Sequence, residues 1–210
     1  MRAQLVSERR VGPVRVPIIT LALVAALAAG CGSGASAGVG AADGTYAGPV
    51  PTPRIPTLAP CPTAGSPSSL PSLTLSCLRD GPKVDTATLG GHPVLVNLWA
   101  SWCGPCKQEM PSLQTAYRTL GRQISFLGVD TKDDVNSASD FLAAISVHYP
   151  QVVDDNGDLL HKIGGSGLPV TVVLDVTGRA VYSHRGQLRT DDLRAALLAA
   201  GVILPSKFRL

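Results

Sequence analysis

The sequence predicts an α/β fold, a mixed central β-sheet flanked by helices on both faces. Three observations lead there. From Leu89 onward, strand-like and helix-like segments alternate. The run Val94 to Trp99 is apolar except for Asn97, as a strand buried on both faces of a sheet would be. Later, Val170–Leu174 and Ala180–Ser183 flank the turn Asp175-Val176-Thr177-Gly178, the pattern of an antiparallel hairpin, and a last helix follows it.

Taken in order, the elements begin with Leu73, Leu75 and Cys77 alternating with Thr74 and Ser76, a strand with one buried face that extends the sheet N-terminally. The central strand Val94–Trp99 runs into a helix over Cys103–Leu120, expected to be broken by Pro111, which removes one N–H and kinks the axis. Ile124–Asp130 reads as a second strand. Val135, Ala138, Phe141, Leu142 and Ile145 then fall at helical spacing over Val135–Ser146. Asp154-Asp155-Asn156-Gly157 is a turn before a short helix over Leu159–Ile163. Thr190 is expected to cap the last helix, with Asp191 and Asp192 at its positive end and Gly201 just past its close.

With 210 residues, the chain has room for one domain plus appendages. Residues 1–30 read as a signal peptide. Arg2, Arg9, Arg10 and Arg15 precede a short apolar run, Pro17 to Ala29, too short to span a bilayer comfortably. Ala28-Ala29-Gly30-Cys31 is similar to a bacterial lipobox, which implies cleavage before Cys31 and lipid attachment to it. An ordinary signal or an uncleaved anchor is the alternative. Residues 31–60, rich in Gly, Ala, Ser, Thr and Pro, cannot bury enough apolar surface to order themselves and read as a tether. Residues 61–210 make the folded domain. The formal charge of +3 comes from the leader; from Cys31 onward 14 basic residues face 14 acidic ones, with no basic run. A nucleic-acid partner is therefore not expected.

The chemistry centres on Trp99-Ala100-Ser101-Trp102-Cys103-Gly104-Pro105-Cys106-Lys107-Gln108-Glu109. Two cysteines separated by two residues at a helix start can close a small disulfide ring. The orphan N–H groups and the dipole there favour the thiolate of Cys103, the nucleophilic form. Cys106, one turn further in, can resolve a mixed disulfide formed on Cys103. Read as metal ligands, the pair would be half a zinc site. It would need a second close pair, which Cys61 and Cys77 do not supply. His92, His148, His161 and His184 are scattered without ligand spacing, so neither metal nor cofactor is expected.

This stretch resembles the thioredoxin active site. Glu109, Pro111 and the later Leu168-Pro169-Val170-Thr171 narrow the resemblance to the extracytoplasmic TlpA/ResA-like (CcmG/DsbE-like) thioredoxins, over about Leu70 to Ile203. The resemblance implies a thioredoxin fold in which Thr131–Val153 forms the family's extra helix and strand. It also implies a cis Leu168–Pro169 loop beside the cysteines, with Trp102, Gly104, Pro105, Leu168 and Pro169 on the substrate side. Glu109 shares a helix face with Cys106 and can take its proton. Asn97 stands where thioredoxin itself has a buried Asp, and it cannot titrate.

An exported chain meets an oxidising compartment, where spare cysteines pair. With Cys31 lipidated and Cys103 paired to Cys106, Cys61 and Cys77 are expected to form a structural disulfide; a second redox pair is the alternative. The function expected is a thiol:disulfide oxidoreductase lipid-anchored outside the cytoplasm. Gly104-Pro105 matches the dipeptide of thioredoxin, a reductant. By that analogy the chain reduces disulfides in exported proteins such as apocytochrome c, and a membrane thiol donor of the CcdA/DsbD kind recharges it. An oxidant that inserts disulfides is the alternative within the class. A thiol peroxidase and a non-catalytic binding module are the alternatives outside it.

Overall fold

The computed structural model describes residues 56–209. Cys31, the signal segment and most of the expected tether lie outside these residues. The chain runs β1 (Thr74–Cys77), β2 (Val84–Asp85), a 3-10 turn (Thr86–Thr88), β3 (Val94–Trp99), α1 (Gly104–Leu120), β4 (Ser125–Thr131) and α2 (Val135–Ala144). It continues through β5 (Gln151–Asp154), α3 (Asp158–Lys162), β6 (Val170–Leu174), β7 (Ala180–Arg185) and α4 (Thr190–Ala199).

These strands form one seven-stranded sheet of order β2-β1-β5-β4-β3-β6-β7. β3, β4 and β5 are mutually parallel, while β6 pairs antiparallel with β3, β7 with β6 and β1 with β5. The sheet is mixed, as the alternation and the hairpin require, and it has the thioredoxin fold. Every residue of β3 is buried, because its two faces feed two cores. On one face Leu95 and Trp99 pack with Phe126, Val173 and residues of α1, α2 and α4. On the other, Val94, Val96 and Leu98 pack with Leu127, Val129, Val172 and Leu159 of α3.

The topology gathers one edge of the sheet into a working end. β3 pairs Leu98 with Val170, so the end of β3 and the start of β6 lie side by side. Parallel pairing of Trp99 with Asp130 brings the end of β4 to the same edge, and the pairing of Val170 with Arg185 brings the end of β7 there. The loops at this edge carry Cys103, Lys132–Asp134, Leu168–Pro169 and Gln187–Arg189. In open α/β sheets, function collects at such carboxyl ends.

Several details differ from the sequence reading. α1 is a single helix that continues through Pro111, which is exposed. The missing N–H is therefore tolerated on the solvent side. Ile124 belongs to the turn closing α1, with its N–H bonded to Leu120, and β4 starts one residue later. Thr190 does not cap α4; the N-cap residue is Arg189, and Asp192 supplies the bond by accepting the Arg189 N–H at 3.2 Å. Gly201 follows α4 with φ of 79°, as a residue past a helix end should. The packed chain also begins before Cys61. Pro56 is buried, its carbonyl accepts a bond from Arg79 at 2.6 Å, and the Ala59 N–H donates to His148 O at 2.7 Å.

Candidate active site

Cys103 and Cys106 are joined as a disulfide, with Cα atoms 5.3 Å apart. Cys103 is the N-cap residue of α1, and its sulfur accepts the Cys106 N–H at 3.2 Å. A sulfur placed there meets the orphan donors and the positive end of a helix of 17 residues, which stabilises a thiolate. In this disulfide Cys103 is 4% exposed and Cys106 is fully buried. Gly104 and Pro105 are exposed at the tip, and a Cβ on Gly104 would meet no atom within 4 Å. The helix start is open on its outer side.

Glu109 lies one turn beyond Cys106, 2% exposed. Two donors hold it. Asn97 Nδ2 bonds to Oε1 at 2.8 Å and the Leu188 N–H to Oε2 at 2.6 Å. Burial raises its pKa from 4.5 to about 7, against the lowering effect of the Leu188 and Asn97 bonds. A carboxyl so placed is part ionised near neutral pH and can accept a proton from a neighbouring buried thiol.

Leu168 is half-buried and Pro169 buried, with a cis peptide bond between them. The Pro169 carbonyl accepts the Gly186 N–H at 2.9 Å, which ties this turn to the end of β7. Trp102 is 61% exposed and donates its indole N–H to the Lys132 carbonyl at 3.0 Å. It therefore rests on the β4–α2 loop. Trp99 is fully buried, its indole N–H bonded to Gln151 Oε1 at 2.8 Å.

Cys61 and Cys77 are bonded, with Cα atoms 6.2 Å apart and a sequence separation of 16. Cys77 pairs with Val152 on β5, so the bridge fixes the incoming segment to the sheet on the side away from β6 and β7. Among the described residues no group of three or more His, Cys, Asp or Glu side chains could hold a metal ion.

The structure adds partners that sequence reading missed. Leu188 offers only its backbone N–H, so nothing in its identity marks it. Gln151 carried a weak signal, a polar residue opening an apolar strand. Its side chain lies across Gly128, where a Cβ would stand 1.8 Å from Gln151 Oε1. Asp130, on β4, is buried, with neither carboxyl oxygen hydrogen-bonded among the described residues.

Comparison with known proteins agrees with this geometry. The Redoxin family matches residues 63–197. HelX, a thiol:disulfide interchange protein of Rhodobacter capsulatus, is 35% identical over 132 residues, covering 62% of this chain and 73% of HelX. The thiol-disulfide oxidoreductase ResA of Bacillus thuringiensis is 26% identical over 121 residues, covering 56% of this chain and 69% of ResA. A solved structure of a putative thiol:disulfide interchange protein DsbE from Chlorobium tepidum superposes with a TM-score of 0.54 at 26% identity, covering 66% of this chain and 99% of that one. The chain belongs to the Redoxin family and is a thioredoxin-fold thiol:disulfide oxidoreductase of the ResA, DsbE and HelX kind.

Proposed function

We propose that the protein is a membrane-tethered reductant acting outside the cytoplasm, with Cys103 as the attacking thiol and Cys106 and Glu109 as the resolving pair. The observation that carries the dithiol chemistry is the placement of Glu109, buried one turn past the fully buried Cys106 with its carboxyl poised near neutral pH. In the dithiol form the Cys103 thiolate attacks a substrate disulfide. The substrate S–S bond breaks, a mixed disulfide forms and the departing sulfur takes a proton. Glu109 accepts the Cys106 proton, and the Cys106 thiolate attacks the Cys103 sulfur, releasing the second substrate thiol. Two electrons have then passed to the substrate, leaving the Cys103–Cys106 disulfide. A membrane thiol donor of the CcdA/DsbD kind restores the dithiol.

Trp102, Gly104, Pro105, Leu168 and Pro169 border the sulfurs at the open edge and form the substrate side, where an extended segment can pair with main chain without regard to its sequence. Apocytochrome c, with its own cysteine pair, is the substrate that the resemblance to CcmG-like proteins favours. Residues 1–30 as a lipoprotein signal and Cys31 as the lipidated residue would place the domain at the outer face of the membrane, on the tether that follows. No described helix is long and apolar enough to cross a membrane. Cys61–Cys77 serves as a staple.

The test is the redox state of Cys103 and Cys106 in cells, read by acid quench, thiol alkylation and peptide mapping, with insulin reduction by purified protein and its Cys103→Ser variant alongside. A mostly dithiol pair and an inactive variant support the reading. A mostly disulfide pair reverses the direction and makes the protein an oxidant.

A further inference from the structure

β4 carries an acid that the dithiol chemistry leaves unused. Asp130 is the register partner of Trp99 in the parallel β3–β4 pair, 1% exposed, and neither carboxyl oxygen has a hydrogen-bond partner among the described residues. An unpaired buried carboxylate is expensive, and the protonated acid far less so. The charges that raise its pKa are all negative: Asp133 and Asp134 in the loop after β4, and Asp155 in the turn after β5. The helices covering this face carry Lys107, Glu109 and Arg118 on α1, Asp140 on α2, and Asp191, Asp192 and Arg194 on α4. The Lys107 ammonium is placed over the Phe141 ring, 5.5 Å from its centroid, and the Lys132 stem lies against Gly157. Burial first, then the charge and close approach of Asp133, push the Asp130 pKa up to about 8.

The loop that follows Asp130 grips both residues leading into Cys103. The Asp133 carboxylate accepts the Ser101 N–H and also the Ser101 hydroxyl, the latter at 2.9 Å. The Lys132 carbonyl accepts the Trp102 indole N–H at 3.0 Å. A second negative charge beside the half-buried Asp133 works against this grip, because like charges repel and the burial of Asp130 limits screening.

We propose that Asp130 is a positioning residue of the dithiol site: as a neutral acid it leaves Asp133 free to clamp Ser101 as an anion, and its ionisation loosens the hold of Lys132 and Asp133 on Trp102 and Ser101. The only bond made or broken is the O–H of Asp130, whose proton goes to solvent at alkaline pH and returns below it. The inference rests on the reading of Cys103 as the attacking thiol, since that is the residue the clamp positions.

The oxidised protein labelled with 5-fluorotryptophan tests it without turnover. The chain has two tryptophans, so fluorine NMR gives two signals, assigned with Trp102→Phe. The Trp102 signal is expected to move with a midpoint of about 8. Asp130→Asn should flatten that transition, and Asp133→Asn should move the midpoint down by about one unit. A wild-type signal that does not move between pH 6 and 9.5, or a transition that persists in Asp130→Asn, overturns the proposal. Should Asp130→Asn fail to fold, the midpoint in Asp133→Asn decides, and an unmoved midpoint overturns it. In insulin reduction, the ratio of the Asp130→Asn rate to the wild-type rate should rise about three- to tenfold from pH 7 to pH 9, the scale of one charge acting across a partly screened distance. A constant ratio removes the catalytic consequence. If neither protein reduces insulin at any pH, the proposed function fails, and the fluorine titration still decides the clamp.

Discussion

Asn97 in β3 donates a 2.8 Å hydrogen bond to Glu109 Oε1 in α1, joining the centre of the sheet to the helix that carries both cysteines. The second Asn97 proton reaches Thr171 Oγ1 on β6 at 3.1 Å, and Asn97 Oδ1 is left without a partner among the described residues. Glu109 thus meets two donors, Asn97 and the Leu188 N–H, both favouring the anion. Burial favours the acid more strongly, and the balance falls at a pKa of about 7. An amide at position 97 is what permits this, because a second carboxyl there would compete with Glu109 for one proton.

Glu109→Gln is expected to slow resolution of the mixed disulfide by about 100-fold, the lower range for a positioned acid or base, and to leave the first attack by Cys103 nearly unchanged. As a proton acceptor Glu109 must be ionised, so the wild-type resolving rate should climb with pH through about 7 and then level off. The variant should show no such step. Rapid-quench trapping of the mixed disulfide separates the two events, and equal slowing of both would remove Glu109 from the resolving role.

The same burial predicts a stability profile. The folded pKa of this acid lies above its unfolded value, so the unfolded chain releases the proton first as pH rises. The Glu109 contribution to stability is therefore unchanged below about 4.5, falls as pH rises from 4.5 to about 7, and stays lower above that. The loss attributable to Glu109 is on the order of 3 kcal/mol. Urea unfolding of the oxidised protein at pH 5 and pH 8 should show it, with a smaller difference in Glu109→Gln.

Gly128→Ala places a methyl group where Gln151 now lies, at a nominal 1.8 Å from Oε1. The side chain would have to leave and abandon its bond to Trp99 Nε1. A loss of about 1–3 kcal/mol is expected, from a buried indole donor left unpaired. Gln151→Ala alone loses the same bond, so the double variant should be less destabilised than the sum of the two single ones. Additive losses in denaturant titrations would mean that the two residues do not share this contact.

The pattern of apolar and polar residues made the central strand, the hairpin and α2 legible, because burial on one or two faces acts on each segment in place, whereas β5 was expected only from the family resemblance. The helix-cap assignment failed for a local reason. Thr190 is a good cap by type, but capping depends on which carboxylate faces the free N–H, and Asp192 does so. Cys103, Cys106 and Glu109 were legible because spacing along one helix fixes their relative placement. Leu188, Gln151 and Asp130 were not, since each meets the site through a fold contact between segments distant in sequence. Leu188 acts through a backbone group that every residue but proline has.

Cys61→Ser with Cys77→Ser should lower stability by about 3 kcal/mol, the chain-entropy value for a loop of this size, and leave insulin reduction close to wild type. The bridge joins the segment before β1 to the sheet next to β5, whereas Cys103 and Leu168–Pro169 stand at the ends of β3 and β6. A loss of activity much larger than the loss of folded protein would instead mark the pair as a second redox site.

Asn97→Asp asks whether the acid can sit on either element. The new carboxyl would lie within hydrogen-bond reach of Glu109 in a space closed to water, where two carboxylates share one proton. At pH 5 the variant should approach wild-type stability, since the pair can then remain protonated. At pH 8 it should be less stable by about 3 kcal/mol or more, the scale for a buried charge without compensation. Asn97→Asp combined with Glu109→Gln restores a single acid, now on β3 as in thioredoxin, and keeps an acceptor for the Leu188 N–H. This double variant should recover most of the stability lost at pH 8 and part of the resolving rate, with a pH step of its own. If Asn97→Asp is as stable as wild type at pH 8, the two positions do not share a proton-binding site. If the double variant is stable yet resolves no faster than Glu109→Gln, the carboxyl must stand on α1 beside Cys106, and the transfer of the acid from strand to helix is then a requirement of this active site.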